Sequence, residues 1–447
     1  MKRTMPFIIS GMMKLTIGIT TCLLLLCLVI LQESSNIFNL HNRTCLSRYQ
    51  SYLYRKTSPY KPSQHLISKL RRYEMLHKRC GPGTEAYKSA TEKLGHNHVS
   101  NSGDECRYVL CVSPLSGLGL GNRMISMLDS FNREYSRCIN STTVPSQLYL
   151  YLFHDYGDHD QMFFCEDNQM IIGKVPWLVA KSNQYFVPSL WLIPSFQTKL
   201  IKLFPEKDTV FHHLSRYLLH PINQVWGMVT RSYIAYLSRA DERLGIQVRV
   251  FEKITSPPPI KHVMDQIVAC TQREKLLPEV DTHEKVTTTE KPSKLKAVLV
   301  TSLTSGYSES LKSMYWEHPT STGDVVVVHQ PSQEAYQQSD KKLHNKKTLA
   351  EMFLLSMTDE VVISASSTFG YVAQGMGGLK SWILYEPVNH TVPDPPCGRA
   401  ISMEPCFHVP PVYGCNGKTG TNTGNIVPFV RHCEDRILGI KLVQDTS

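Results

Sequence analysis

Residues 360–378 read EVVISASSTFGYVAQGMGG, and this stretch decides the fold. Glu360 to Ser364 is a short run of β-branched and apolar residues, the pattern of a strand buried on both faces. Ser366, Ser367 and Thr368 follow at once, residue types that suit a helix N-terminus, and Gly377-Gly378 is a helix stop. The same alternation extends outward. Leu244 to Phe251 reads as a strand, Ala297 to Ser302 as a buried strand, Ser308 to Glu317 as a helix and Val325 to His329 as another strand. Thr348-Leu349-Ala350-Glu351 has the form of a capping box opening a helix to about Met357, and Trp382 to Tyr385 closes with a strand. Strands alternating with helices predict an α/β fold with a doubly wound parallel sheet covered on both faces.

In such a sheet, ligands bind outside the carboxyl ends of the strands. The residues there are Arg249, Thr301 to Leu303, His329 to Pro331, and Ser364 to Phe369. Ser366, Ser367 and Thr368 run straight into a helix, so free N–H groups, a positive dipole end and three hydroxyls make an anion site suited to a diphosphate. Arg249 is positioned to add a planar bidentate cation. The plainer alternative, hydroxyls that only cap the helix, uses the same groups and stays open.

The first half begins with Tyr108 to Val112, a short apolar run, followed by Ser116 to Arg123 (SGLGLGNR) and a helical pattern. Its G-x-G-x-G spacing, with Gly119, Gly121, Asn122 and Arg123, is not the dinucleotide fingerprint, and a tight turn between strand and helix is the simpler reading. Asp155 to Asp160 collects three carboxylates and an imidazole, read as an acidic loop rather than a metal site. His212-His213 sit in a helical pattern and read as packing residues. Leu66 to Lys78, dense in basic residues, reads as a surface helix.

The N-terminus bears on compartment. Leu15 to Leu31 carries no charge and is 17 residues long, the short end of a bilayer-spanning helix. Lys2, Arg3 and Lys14 precede it, which orients the N-terminus to the cytoplasm and the body to the lumen. A cleaved signal peptide is the alternative, against which stands the lack of a small-x-small cleavage signature after Leu31. Cys22 and Cys27 lie in this stretch; the rest of the 13 cysteines are scattered without a CxxC pair, so zinc-ribbon and thioredoxin-like readings lack support. The cluster Cys397, Cys406, Cys415 and Cys433 predicts a disulfide-stapled end in an oxidising compartment. Asn42, Asn140 and Asn389 are glycosylation sequons. The net charge of +10 favours an anionic partner, yet no basic run interleaves with aromatics, which argues against nucleic acid. An anchored lumenal protein with a diphosphate site suggests a glycosyltransferase using a nucleotide sugar.

These residues resemble the plant xyloglucan fucosyltransferase family. The resemblance is carried by Ser58–Pro62 (SPYKP), Tyr73–Gly83 (YEMLHKRCGPG), Leu118–Arg123, Leu148–Phe164, Tyr185–Pro194 and Val210–Trp226. It continues through Ala240–Phe251 (ADERLGIQVRVF), Val325–Gln338, Ser366–Gly378 and Glu404–Cys415 (EPCFHVPPVYGC). It implies a GT-B fold of two Rossmann-like domains behind an N-terminal transmembrane helix, and a single-pass Golgi membrane protein. The domains would be a cytoplasmic tail at 1–14, an anchor at 15–31, a stem region at 32–99, an acceptor side at 100–235 and a GDP-fucose-binding side at 236–447. The implied donor is GDP-L-fucose, with no metal or other cofactor, and the acceptor a galactosylated polysaccharide, fucosylated at O2 of galactose with inversion. By the same resemblance, Arg249 grips the diphosphate. Gln247, His329, Ser366, Ser367, Thr368, Phe369, Gly370 and Tyr371 belong to the donor pocket.

Two departures from the family stand out. A segment of about 50 residues, roughly one βα unit, is missing after the glycine-rich turn, around Met127 to Tyr135. And Asn183 stands where the family's pattern has an aspartate near the acceptor, a group that would assist deprotonation; an amide cannot act as that base.

Overall fold

A computed structural model describes residues 45–94, 106–112, 120–129, 147–152, 158–250, 260–282, 293–386, 391–411, 415 and 423–444. The stretch Leu15 to Leu31 and the sequons Asn42, Asn140 and Asn389 lie outside the described residues, as does Gly119. Among the described residues no helix is long and apolar enough to cross a membrane.

Two parallel sheets organise the chain. The first has three strands, β1 (Tyr108–Val112), β2 (Gln147–Tyr151) and β3 (Trp177–Lys181), with β3 between the other two. The second holds β4 (Glu242–Gln247), β5 (Leu295–Thr301), β6 (Val325–His329), β7 (Glu360–Ser364), β8 (Trp382–Leu384) and β9 (Cys397–Arg399). Its order is β6-β5-β4-β7-β8-β9, parallel except for β9, which pairs antiparallel with β8. The winding runs outward from β4 through β5 to β6, then returns to place β7 on β4's other side, so the topological switch lies between β4 and β7.

The sequence accounts for this sheet's burial. In β5, Ala297 and Leu299 join one apolar cluster and Val298 and Val300 the other, so both faces are covered. That two-sided burial explains the unbroken apolar runs, since alternation would leave one face polar. The larger cluster runs from Leu150 and Leu178 of the first sheet through Tyr185, Trp191 and Phe211 to Ile363 and Met376 of the second half. The two sheets therefore share a core.

Four helices flank the join between the two halves: α1 (Leu120–Asp129), α2 (Val210–Leu218), α3 (Lys342–Leu355) and α4 (Thr368–Gly377). Ser367 is the N-cap residue of α4, as expected, and Gly378, with φ +71°, its left-handed C-cap. α3 corrects the sequence reading. It begins six residues before Thr348, whose hydroxyl donates back to His344 O at 2.9 Å from within the helix, so no capping box forms there. β4 stops at Gln247 rather than Phe251, because the chain leaves the sheet once Val248 N–H has bonded Thr301 O.

The region read as a stem is docked from Cys45 onward. Leu46 N–H donates to Asn223 Oδ1 at 2.8 Å, Trp226 Nε1–H to Gln50 Oε1 at 2.9 Å, and the Arg55 guanidinium lies over the Phe353 ring. Ser58 meets the buried His212 at 2.8 Å; the other imidazole nitrogen, Nδ1, donates to Gly375 O. Burial pushes the His212 pKa down to about 3, so it is a neutral packing residue. The C-terminal cysteines also pair less locally than their clustering suggests. Cys406–Cys433 is the one bridge within the cluster; Cys397 reaches Cys270 and Cys415 reaches Cys165. Cys80 bridges Cys106, and Cys45 is free and exposed.

Gly121, at the start of α1, lies against the start of α4. A Cβ there would fall 2.8 Å from Thr368 Oγ1 and 2.9 Å from Phe369 N. The glycine thus serves close approach between the two halves, a different use from the local turn its spacing suggested. Gly121→Ala is expected to cost about 1–3 kcal/mol through overpacking, read as a lower denaturant midpoint with unchanged slope.

Candidate functional site

A cleft of about 1240 Å3 opens at the carboxyl ends of β4, β5, β7 and β8, where strand order reverses. α1 and Gln184 wall it from the other half. Open α/β sheets bind ligands at this position because strand ends and helix N-termini diverge there.

β4 delivers Gln247 and Arg249 to the cleft. Arg249 is fixed at its backbone, where its N–H donates to Ser364 Oγ at 2.9 Å, tying the ends of β4 and β7. Its guanidinium reaches Gln337 Oε1 at 3.3 Å. β7 delivers Ser366, Ser367, Thr368 and Phe369, which also line the cleft.

The helix start is more committed than the sequence suggested. Ser366 has φ +59°, left-handed for a residue with a Cβ. Asp435 holds it there, its Oδ2 accepting the Ser366 N–H at 2.7 Å and the Tyr371 O–H at 2.5 Å. The Ser366 hydroxyl turns to Asp435 O. The Thr368 hydroxyl donates to Asn122 Oδ1 at 2.5 Å. Two of the three expected anion ligands therefore spend their hydroxyls on structure. The end of α4, its dipole and Ser367, which makes no side-chain capping bond, remain at the cleft. Arg123 of α1 donates to Asn345 Oδ1 at 2.9 Å, a second tie across the cleft mouth.

Other expected residues fall elsewhere. Tyr371 is completely buried and Gly370 buried; neither lines the cleft. His329 stacks on Tyr236 at 3.5 Å between ring centroids and contacts Ser232, away from the cleft. Burial pushes its pKa down to about 4. Asn183 is half-buried, its Oδ1 accepting from Gln184 Nε2; it is the neighbour Gln184 that lines the cleft. His159 accepts the Tyr151 N–H at the end of β2 through Nδ1, which uses that nitrogen for structure.

Several groups at the site escaped the sequence reading. His408 and Arg436 line the cleft beside Asp435. Glu351 of α3 also lines it; burial pushes its pKa up to about 7, against a hydrogen bond from Ser332. Off the cleft wall, Glu404 is wholly buried and accepts the Tyr185 O–H and the Phe211 N–H, and burial raises its pKa to about 8. Glu404 and His408 lie in the EPCFHVPP stretch, whose polar residues inside an apolar, proline-rich segment were the available signal. Nothing local marks Asp435, which acts 64 residues from Tyr371.

The sequence model of a family described as xyloglucan fucosyltransferase matches residues 37–135 and 132–416, two stretches that meet where the chain reads as shortened. "Probable fucosyltransferase 7" of Arabidopsis thaliana is 57% identical over 525 aligned positions, covering 97% of this chain and 99% of that protein. That span exceeds the 447 residues of this chain, so the alignment opens gaps in it. The "Galactoside 2-alpha-L-fucosyltransferase" of the same plant is 57% identical, covering 90% of this chain and 80% of that protein. Among solved structures, an arginine-to-lysine mutant of Arabidopsis thaliana FUT1 in complex with GDP superposes with a TM-score of 0.79 and 56% identity, covering 90% of this chain and 97% of that one. The chain belongs to the xyloglucan fucosyltransferase family.

Proposed function

We propose that the protein transfers L-fucose from GDP-L-fucose to O2 of a galactosyl residue of xyloglucan or a related cell-wall glycan. The observation that carries this reading is the switch-point cleft, with Arg249 and the start of α4 converging in a member of this family. The architecture is GT-B in kind, the donor held at the second sheet and the acceptor entering from the first. A galactose O2 displaces GDP at the fucose anomeric carbon from the opposite face, which inverts the configuration. Arg249 and the positive end of α4 stabilise the charge that develops on the departing diphosphate, electrostatic work that needs no metal.

The proposed setting is a Golgi membrane, reached by one helix at Leu15 to Leu31 with the body in the lumen. The four disulfides among the described residues support an oxidising compartment. A second reading is favoured by two observations: the first sheet has three strands among the described residues, and Asn183 offers no base. On that reading the protein is a degenerate member that holds GDP-fucose or glycan with little or no turnover.

Arg249→Lys keeps the charge and loses the planar fork. GDP affinity by calorimetry is expected to fall by about 1–3 kcal/mol; an unchanged affinity in folded protein removes Arg249 from the diphosphate. Asn183→Asp, made in the chain with the missing segment restored from a relative, is expected to raise kcat by roughly 10²–10⁴-fold with the donor KM little changed. Equal turnover with Asn or Asp leaves leaving-group stabilisation as the main chemistry; GDP binding without turnover in both favours the second reading. For topology, endoglycosidase treatment of the expressed protein should increase its gel mobility through Asn42, Asn140 or Asn389, and no shift would count against a lumenal body.

A further inference from the structure

The EPCFHVPP stretch brings an imidazole to the cleft that the donor reading leaves without a task. His408 lines the cleft and is half-buried. Its Nε2 lies 3.4 Å from the Tyr371 hydroxyl, and the two rings meet edge to face with centroids 5.5 Å apart. The Tyr371 hydroxyl has one hydrogen, and it points to Asp435 Oδ2 at 2.5 Å. Toward His408 that oxygen can therefore only accept. Nε2 must carry the imidazole proton, and Nδ1 is left as an acceptor.

Both arms of this arrangement are held firmly. Cys406 and Cys433, each two residues from His408 and Asp435 respectively, form a disulfide. Phe407 and Ile440 exchange backbone hydrogen bonds at 2.8 and 3.0 Å. Burial and the neighbouring Arg436 hold the His408 pKa down to about 4, with Asp435 opposing, so the ring is neutral and keeps its acceptor nitrogen at physiological pH.

Resting on the proposed donor, we infer that His408 accepts a hydrogen bond from a sugar hydroxyl of the nucleotide sugar, and that Tyr371 is the positioning residue that fixes its tautomer. The acceptor character selects the partner. Phosphate oxygens offer no proton and would repel a nitrogen lone pair. Beside the diphosphate-facing groups, Ser367 with the start of α4 and Arg249, the parts of the donor bonded directly to the diphosphate are ribose and fucose, and both carry hydroxyl donors; guanine, with N–H donors of its own, lies beyond the ribose. Because Asp435 also sets the left-handed turn at Ser366, one carboxylate aligns both the diphosphate end and the hydroxyl reader.

The test titrates GDP and GDP-fucose into the full chain and its His408→Ala, Tyr371→Phe and double variants. His408→Ala is expected to bind GDP-fucose roughly five- to tenfold more weakly, the loss of one neutral hydrogen bond. A loss confined to GDP-fucose places the contact on fucose; an equal loss for GDP that disappears with 2′,3′-dideoxy-GDP places it on ribose, and one that persists there places it on guanine and overturns the sugar-hydroxyl inference. Tyr371→Phe should weaken binding in the same direction, and the double variant should bind no worse than His408→Ala, a coupling that a purely structural tyrosine would not produce. His408→Gln, which restores an acceptor, should recover part of the loss. Wild-type binding matched by His408→Ala overturns the inference alone. Additive single effects overturn the role of Tyr371. If the wild type binds no GDP, the donor reading itself falls and the inference with it. Should Tyr371→Phe not fold, the His408 arms decide.

Discussion

Nearly everything at the site depends on the join between β4 and β7. Parallel strands laid side by side after an excursion through two others leave a gap between their carboxyl ends, because the crossovers depart to opposite sides. The bond from Arg249 N–H to Ser364 Oγ closes the base of that gap and sets how far the chain ends diverge above it. Without that pairing, Arg249 and α4 would not face a common space. Both strands reach the join inside the core, Ile246 on one and Ile363 on the other, each fully buried. The site is polar, but its geometry is set by a hydrophobic sheet.

Above the join, the polar groups divide between holding structure and facing the cleft. Asp435 shows the division most clearly. A carboxylate accepting two donors on one oxygen contributes on the order of 1.5–3 kcal/mol for each charged hydrogen bond. That is enough to hold Ser366 in a backbone region costing roughly 1–3 kcal/mol. The strain sits at the mouth of the helix, where it aims the chain, and its compensation comes from a distant segment. Similar logic governs the other half, where Asn122 and Arg123 use their side chains to brace α1 against α4 and α3.

Much of the second sheet was legible because fully buried parallel strands announce themselves as continuous apolar runs, and glycine stops end helices visibly. Ser367 and Gly378 bound α4 as read. The start of α3 was not legible, since Lys341 to Lys347 is polar and basic and lacks the usual N-terminal signal, while Thr348 imitated one. Within the site, residues near strand ends were found and those arriving from far along the chain were not. His408 and Arg436 reach the cleft, and Asp435 the turn at Ser366, through tertiary contacts and a disulfide, which leave no periodic trace. His329 failed for the opposite reason: it sits at a strand end, but at the sheet's edge strand, far from the switch point, where Tyr236 covers it. Pairing of the clustered cysteines was equally hidden, because proximity in sequence says little about which thiols a folded core brings together.

The bridge between Cys165 and Cys415 has a temporal consequence. Its partners are separated by 250 residues, so the first thiol exists long before the second has been made. At about 5–20 residues per second of synthesis, Cys165 waits on the order of tens of seconds. During that interval Cys270, Cys397 and Cys406 emerge in turn, each a chemically competent wrong partner. In the folded protein Cys270 lies wholly buried and is paired with Cys397 of β9, which is made before Cys406 and Cys415, so native pairing of those two removes both as partners for Cys165. The order in which thiols become available along the chain thus belongs to the maturation of this protein as much as its final pairing does. A chain ending short of Cys415 would leave Cys165 unpaired in an otherwise nearly complete body.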